Sequence, residues 1–242
     1  MQAMIFAAGL GTRLKPLTDT MPKALVKVGG KTLLEHTVET LAGAGADKMV
    51  VNVHHFAGQI KDFLHASNNF GHDISISDES GMLLDTGGGL KKAQGLFRAG
   101  EPILIHNVDI LSNVSLKDFY QNNIDADAAL LVSERKTKRY LLFNDEMRLV
   151  GWTNIETGEV RSPYPDLNIS NCHKLAFAGI HMFSPHMFPL MDSFPDKFGI
   201  MDFYLSVCHE VRIKGIEHKN LKLMDVGKAD TLCQAEAFIN AL

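Results

Sequence analysis

Short apolar runs recur along the first hundred residues, and the stretches between them carry apolar positions every three or four residues. Met4-Ile5-Phe6, residues 48–53 and residues 102–106 have the length and composition of buried strands, and Ile74-Ser75-Ile76-Ser77 alternates like a strand with one wet face. Residues 31–43 place Leu33, Leu34, Thr37, Val38 and Leu41 at helical spacing and end in Gly43-Ala44-Gly45, where glycine suits a helix stop. Residues 58–65 and 90–97 also predict helices. This alternation predicts an α/β fold with a Rossmann-like, mostly parallel (mixed) sheet flanked by helices, whose ligands sit at the carboxyl ends of the strands. From about Ala126 the rhythm changes. Residues 128–132, 140–143, 148–152 and 175–180 are separated by polar turns, which predicts hairpins that extend the sheet, with residues 154–160 as a tip over a substrate. Residues 203–213 predict a helix, 221–224 a final strand and 229–242 a terminal helix. The chain reads as one domain, 1–242, with parts at about 1–125 and 126–225 and the closing helix at 226–242.

Composition narrows the class. The chain has 242 residues and a formal net charge of −4, without the basic excess of a nucleic-acid binder. Cys172, Cys208 and Cys233 form no CxxC pair and read as buried thiols in a reducing compartment. No apolar stretch approaches the ~20 residues that span a bilayer, and no leader precedes the first strand, so a cytoplasmic protein is expected. The histidines show no metal-ligand spacing and read as surface or core residues. A monomer is expected.

Chemistry concentrates in three places. Ala7-Ala8-Gly9-Leu10-Gly11-Thr12-Arg13 follows the first strand, and two glycines let its backbone turn its N–H groups toward an anion. Arg13, and Lys23 beyond it, add positive charge for the same anion, which suggests a polyphosphate. The loop lacks the lysine of GxxxxGK[ST], and Leu14 stands at the third glycine of GxGxxG, so neither common nucleotide fingerprint applies. The second strand ends in Asn52 and His54, where an acidic ribose ligand would be expected. In Asn107-Val108-Asp109, strand periodicity puts Asn107 and Asp109 on one side, a plausible site for a hard cation. Asp225 repeats the arrangement after the last strand, and the two aspartates could share one Mg2+. Leu84-Asp85-Thr86-Gly87-Gly88-Gly89, before a helix, implies close approach of backbone to a ligand such as a base or ribose.

Together these segments resemble the sugar-1-phosphate nucleotidylyltransferases. The resemblance runs from residues 4–18 through Pro22-Lys23-Ala24-Leu25-Val26, residues 30–35, the triple glycine, Asn107-x-Asp109 and Phe177-Ala178-Gly179-Ile180 to Asp225-Val226-Gly227. It departs at Val108, where the family has glycine, and at Leu223 and Lys228. Residues 84–93 are most similar to the uridylyltransferases of N-acetylmuramate 1-phosphate in cell-wall recycling, while mannose- or heptose-1-phosphate guanylyltransferases share most motifs. The resemblance implies a nucleotidyltransferase fold with a sugar-binding β extension, an NTP and a sugar 1-phosphate as substrates, and Mg2+ on Asp109 and Asp225. It implies Arg13 and Lys23 as catalytic residues, and nucleotide contacts from Ala7, Ala8, Gly9, Gly11, Thr12, Arg13, Gly87, Gly88 and Asn107. Gly179 is implied at the sugar, and Glu156 or Glu159 could bind its hydroxyls. For an acidic sugar, Arg135, Lys136, Lys138, Arg139 or Lys174 could face the carboxylate. A nucleotide-sensing subunit without chemistry is the alternative of another class.

Overall fold

The computed structural model describes residues 1–242. Strand β1 (Gln2–Phe6) is buried throughout, as its apolar run demands. A two-residue hairpin of β2 (Lys27–Val28) and β3 (Lys31–Thr32) leads into helix α1 (Leu33–Gly43), and Thr32 caps the helix by accepting the Glu35 N–H at 3.0 Å. The stripe of Leu33, Leu34, Val38 and Leu41 is fully buried, each side chain contributing about 2 kcal/mol. Strand β4 (Lys48–Val53), helix α2 (Ala57–Ala66), strand β5 (Asp73–Asp78), helix α3 (Asp85–Ala93) and strand β6 (Ile103–Asn107) continue the alternation. β1 lies between β4 and β6, parallel to both, and β5 adds parallel to β4. The glycine loop after β1, Asn52 and Asn107 therefore meet at one edge of the sheet.

The second half is more antiparallel. Strand β7 (Ile110–Ser112) and helix α4 (Leu116–Gln121) precede β8 (Ala128–Ser133), β9 (Arg139–Phe143), β10 (Leu149–Asn154) and β11 (Val160–Arg161). The eleven-residue β12 (His173–Phe183) joins the two halves. It runs antiparallel to β6, and its start also pairs with β9 and one of its edges with β8. Helix α5 (Ile200–Val207), β13 (Ile213–Glu217), β14 (Leu223–Asp225) and α6 (Ala229–Ile239) close the chain. The result is one ten-stranded mixed sheet whose faces carry separate apolar cores, one under α1, α2 and α6 and the other under α3 and α5. No helix is long and apolar enough to cross a membrane.

Several expectations change. The helix expected over 203–213 ends at Val207, and Ile213 begins a strand that pairs in parallel with β8. Asp109 lies in a turn between β6 and β7, so it is the turn and not strand periodicity that keeps it beside Asn107. Of the three cysteines only Cys208 is buried; Cys172 is half-buried and Cys233 is exposed on α6.

Candidate active site

The site begins with backbone. The N–H groups from Ala8 to Arg13 donate to no protein acceptor, whereas the Ala7 N–H is taken by Asn52 Oδ1 at 2.8 Å. Ala7 therefore belongs to the frame of the loop, which corrects its expected role as an N–H donor to the ligand. Gly11 adopts φ 64°, and a Cβ there would stand 2.9 Å from Thr18 Cγ2 and 3.1 Å from Lys23 Cβ, so glycine is required twice over. Thr18 Oγ1 donates to the Gly11 carbonyl at 2.8 Å and pins the turn. Thr12 and Arg13 lie exposed just beyond it.

Beside this loop two carboxylates and two cations converge. Antiparallel pairing of β7 with β14 brings Asp225 opposite Ile110, and the Val226 N–H donates to the Asp109 carbonyl at 2.8 Å. Lys23 Nζ is ion-paired with Asp109, and Arg13 Nη2 lies 3.8 Å from Asp225 Oδ2. Burial, with Asp109 nearby, raises the Asp225 carboxyl above its ordinary pKa. Its Oδ1 is buried and meets no hydrogen-bond donor. An oxygen left so in a pair of adjacent carboxylates is suited to a hard divalent cation. Gly227 makes the arrangement possible, because a Cβ there would stand 2.5 Å from Asp225 Oδ1 and 2.6 Å from Arg13 Nη2.

Two cavities flank the loop. One of about 190 Å³ is lined by Phe6, Ala7, Gly9, Lys23, Thr86, Asn107, Val108 and Asp109. The other, of about 360 Å³, shares Phe6, Gly9 and Thr86 with it and adds Ala8, Asn52, Leu83, Asp85 and Gly199. The first is placed for phosphates, and the second has the size and mostly neutral walls for a nucleoside. Gly87 and Gly88 are not on either wall. They lie inside α3, not before it, and both N–H groups donate to the Phe198 carbonyl, at 2.9 and 3.2 Å. A Cβ on Gly87 would overlap the Phe198 ring, and one on Gly88 the Asp196 carbonyl. The close approach that these glycines permit is to the protein's own 196–198 segment, which corrects their assignment to the nucleotide; Asp85 and Thr86 line the cavity instead.

A third cavity, an open groove of about 860 Å³, starts at Arg13 and Asp225 and is lined further by Arg135, Lys136, Thr137, Lys138, Arg139, Leu223, Met224, Lys228 and Thr231. Six cations thus border it against one carboxylate. Lys174 is exposed on β12 and does not reach it. Glu156 is not in its lining: at the exposed hairpin tip its carboxylate pairs with Lys138 at 2.8 Å, and Glu159 is exposed too. Gly179, at φ 77°, is buried against Asn107, where a Cβ would stand 2.9 Å from Asn107 Nδ2. It shapes the Asn107 side chain position and lines no cavity described above.

Sequence reasoning gave no role of their own to Thr86 and Gly227, which it quoted only within motifs, and it missed Asn52. Asn52 had looked like the absence of a ribose ligand, and only the 45-residue contact with Ala7 shows its use.

Residues 2–142 match the family model for nucleotidyl transferases. The chain is 32% identical over 241 residues to N-acetylmuramate alpha-1-phosphate uridylyltransferase of Caulobacter vibrioides, covering 97% of this chain and 95% of that one. It is 31% identical over 242 residues to the enzyme of the same name from Neisseria meningitidis serogroup B, covering 100% and 99%. The crystal structure of HddC from Yersinia pseudotuberculosis complexed with GMP-PN has the same fold, with a TM-score of 0.77 at 21% identity over 98% of this chain and 99% of that one.

Proposed function

Because the chain belongs to the sugar-1-phosphate nucleotidyltransferase family, we propose that it transfers uridylyl from UTP to N-acetylmuramate 1-phosphate. In this reaction a phosphate oxygen of the sugar 1-phosphate attacks the α-phosphorus in line, a P–O bond forms, and the bond to the β-phosphate breaks with its electrons leaving on pyrophosphate. The observation that carries the reading is the cluster of Arg13, Lys23, Asp109 and Asp225 against six unpaired N–H groups. No nucleophile on the protein is needed, so the chain's work is positioning and charge stabilisation.

The N–H groups of Ala8 to Arg13 hold the triphosphate, and the nucleoside enters the cavity behind Phe6. Arg13 meets the departing pyrophosphate. Lys23 turns from Asp109 to the α-phosphate, where its charge offsets that developing in flight. Asp109 and Asp225 would hold Mg2+, whose chemistry when bound is to neutralise phosphate charge. The orphaned Asp225 Oδ1 supports this pairing. The groove of Arg13, Arg135, Lys136, Lys138, Arg139 and Lys228 favours a sugar that carries an extra carboxylate.

The test is pyrophosphate release from the four common nucleoside triphosphates, each with N-acetylmuramate, N-acetylglucosamine, glucose and mannose 1-phosphates. UTP with N-acetylmuramate 1-phosphate should turn over fastest. A preference for GTP with mannose 1-phosphate would replace both substrates, and nucleotide binding with no turnover across the panel would point to a sensor.

A further inference from the structure

Glu79 directly follows β5 and is 1% exposed although it bears a carboxyl group. A carboxylate is costly to bury unless donors reach its oxygens. Here two do: Asn52 Nδ2 donates to Oε1 at 2.7 Å, and the Leu84 N–H donates to Oε2 at 3.2 Å. Asn52 carries the link onward, since its Oδ1 accepts the Ala7 N–H. The Glu79 main chain is pinned as well, its N–H donating to the Val53 carbonyl and its carbonyl meeting His54 Nδ1, each at 2.7 Å. The carboxylate thus stands behind the nucleoside cavity and ties its two walls, the phosphate loop through Asn52 and the 83–86 segment through Leu84. The third glycine of α3 makes room for this link. A Cβ on Gly89 would stand 2.6 Å from Glu79 Oε1 and 2.9 Å from Asn52 Nδ2.

We propose that Glu79 is a positioning residue for the nucleotide: its carboxylate fixes the distance between the Ala8-to-Arg13 loop and the 83–86 wall, and so sets affinity for the nucleoside triphosphate without touching it. The inference rests on the reading that this cavity takes the nucleoside. Both oxygens of Glu79 accept, and an amide cannot do the same. In Glu79→Gln one oxygen still accepts, but the NH2 group must face either the Leu84 N–H or Asn52 Nδ2. If Asn52 flips to meet it, its own NH2 group is turned onto the Ala7 N–H. One link is lost in every arrangement while side-chain volume is kept.

The experiment measures UTP binding by calorimetry and the steady-state constants for both substrates in wild type, E79Q and G89A, with thermal melts of each. In E79Q the Kd and KM for UTP should rise roughly ten- to hundredfold, as for loss of one hydrogen bond to a charged group. The kcat and the KM for the sugar phosphate should stay within about threefold of wild type, because loss of binding shared by ground and transition state raises KM and leaves kcat unchanged. G89A, which leaves the carboxylate intact but pushes a methyl group against it, should give the same split. An unchanged UTP Kd in E79Q, even with a lowered melting temperature, overturns the proposal, as does an equal loss for both substrates. If wild type binds none of the four nucleotides, the reading of the cavity fails first and takes the proposal with it.

Discussion

Arg13 and Asp225 approach one another across a position, Gly227, that has no side chain, and both face solvent enough to meet a substrate. Arg13→Ala removes no buried group, so its melting temperature should hold while turnover, followed as pyrophosphate release, falls at least ~10²-fold, as for other cations aimed at transition-state charge. Asp109→Ala should lose activity as severely with an unchanged far-ultraviolet spectrum. Two other residues report on stability instead. His181 is fully buried between Phe6, Phe177 and Tyr204, and its Nδ1 meets the Tyr204 hydroxyl at 2.8 Å. Burial pushes it down to about 3 and His106 down to about 4. Their folded values lie below the unfolded one, so their stabilisation is complete above pH 6.5 and is lost as pH falls. At pH 5 each costs about 2 kcal/mol. Melting temperature should therefore drop between pH 7 and pH 5, and His181→Gln should flatten the slope. Arg13, Lys23 and the two aspartates are legible in the sequence because the two cations follow a glycine loop and the two aspartates follow apolar strands. Glu79 and Asn52 are not, because a buried carboxylate and a surface one look alike until a partner is seen.

At the scale of elements, α3 shows how a correct inference can attach to the wrong neighbour. Three glycines in a row do mean close approach, but the surfaces brought together are α3 and the 196–198 segment, with Glu79 and Asn52 behind. Gly88→Ala would drive a methyl group into the Asp196 carbonyl. It should destabilise the fold by about 1–3 kcal/mol, the range for overpacking, and lower the melting temperature by several degrees. A gain in stability, which the better helix propensity of alanine alone would give, would contradict the packing account. The misread stretch 203–213 has a related cause. Its apolar residues suit a helix throughout, yet Ile213 lies opposite Ala128 in a parallel pair, and such pairing leaves no local mark.

Over the whole molecule the formal net charge is −4, while the groove from Arg13 to Arg139 is strongly positive. The attraction it exerts on an anionic sugar phosphate runs through solvent and is open to screening. The KM for the sugar phosphate should rise several-fold between about 0.05 and 0.5 M salt with little change in kcat, and Arg135→Gln with Arg139→Gln should reduce that dependence. The sequence by itself determined the alternation of strands and helices, the carboxyl edge of the sheet and the identity of the charged groups that stand there. Each of these follows from spacing within a few residues. The tertiary structure alone decided that β7 and β14 pair to join Asp109 to Asp225, that Asn52 takes the Ala7 N–H, and that Gly87 and Gly88 face protein. Those contacts link residues tens of positions apart, where burial and hydrogen-bond satisfaction choose the partner and no period along the chain records the choice.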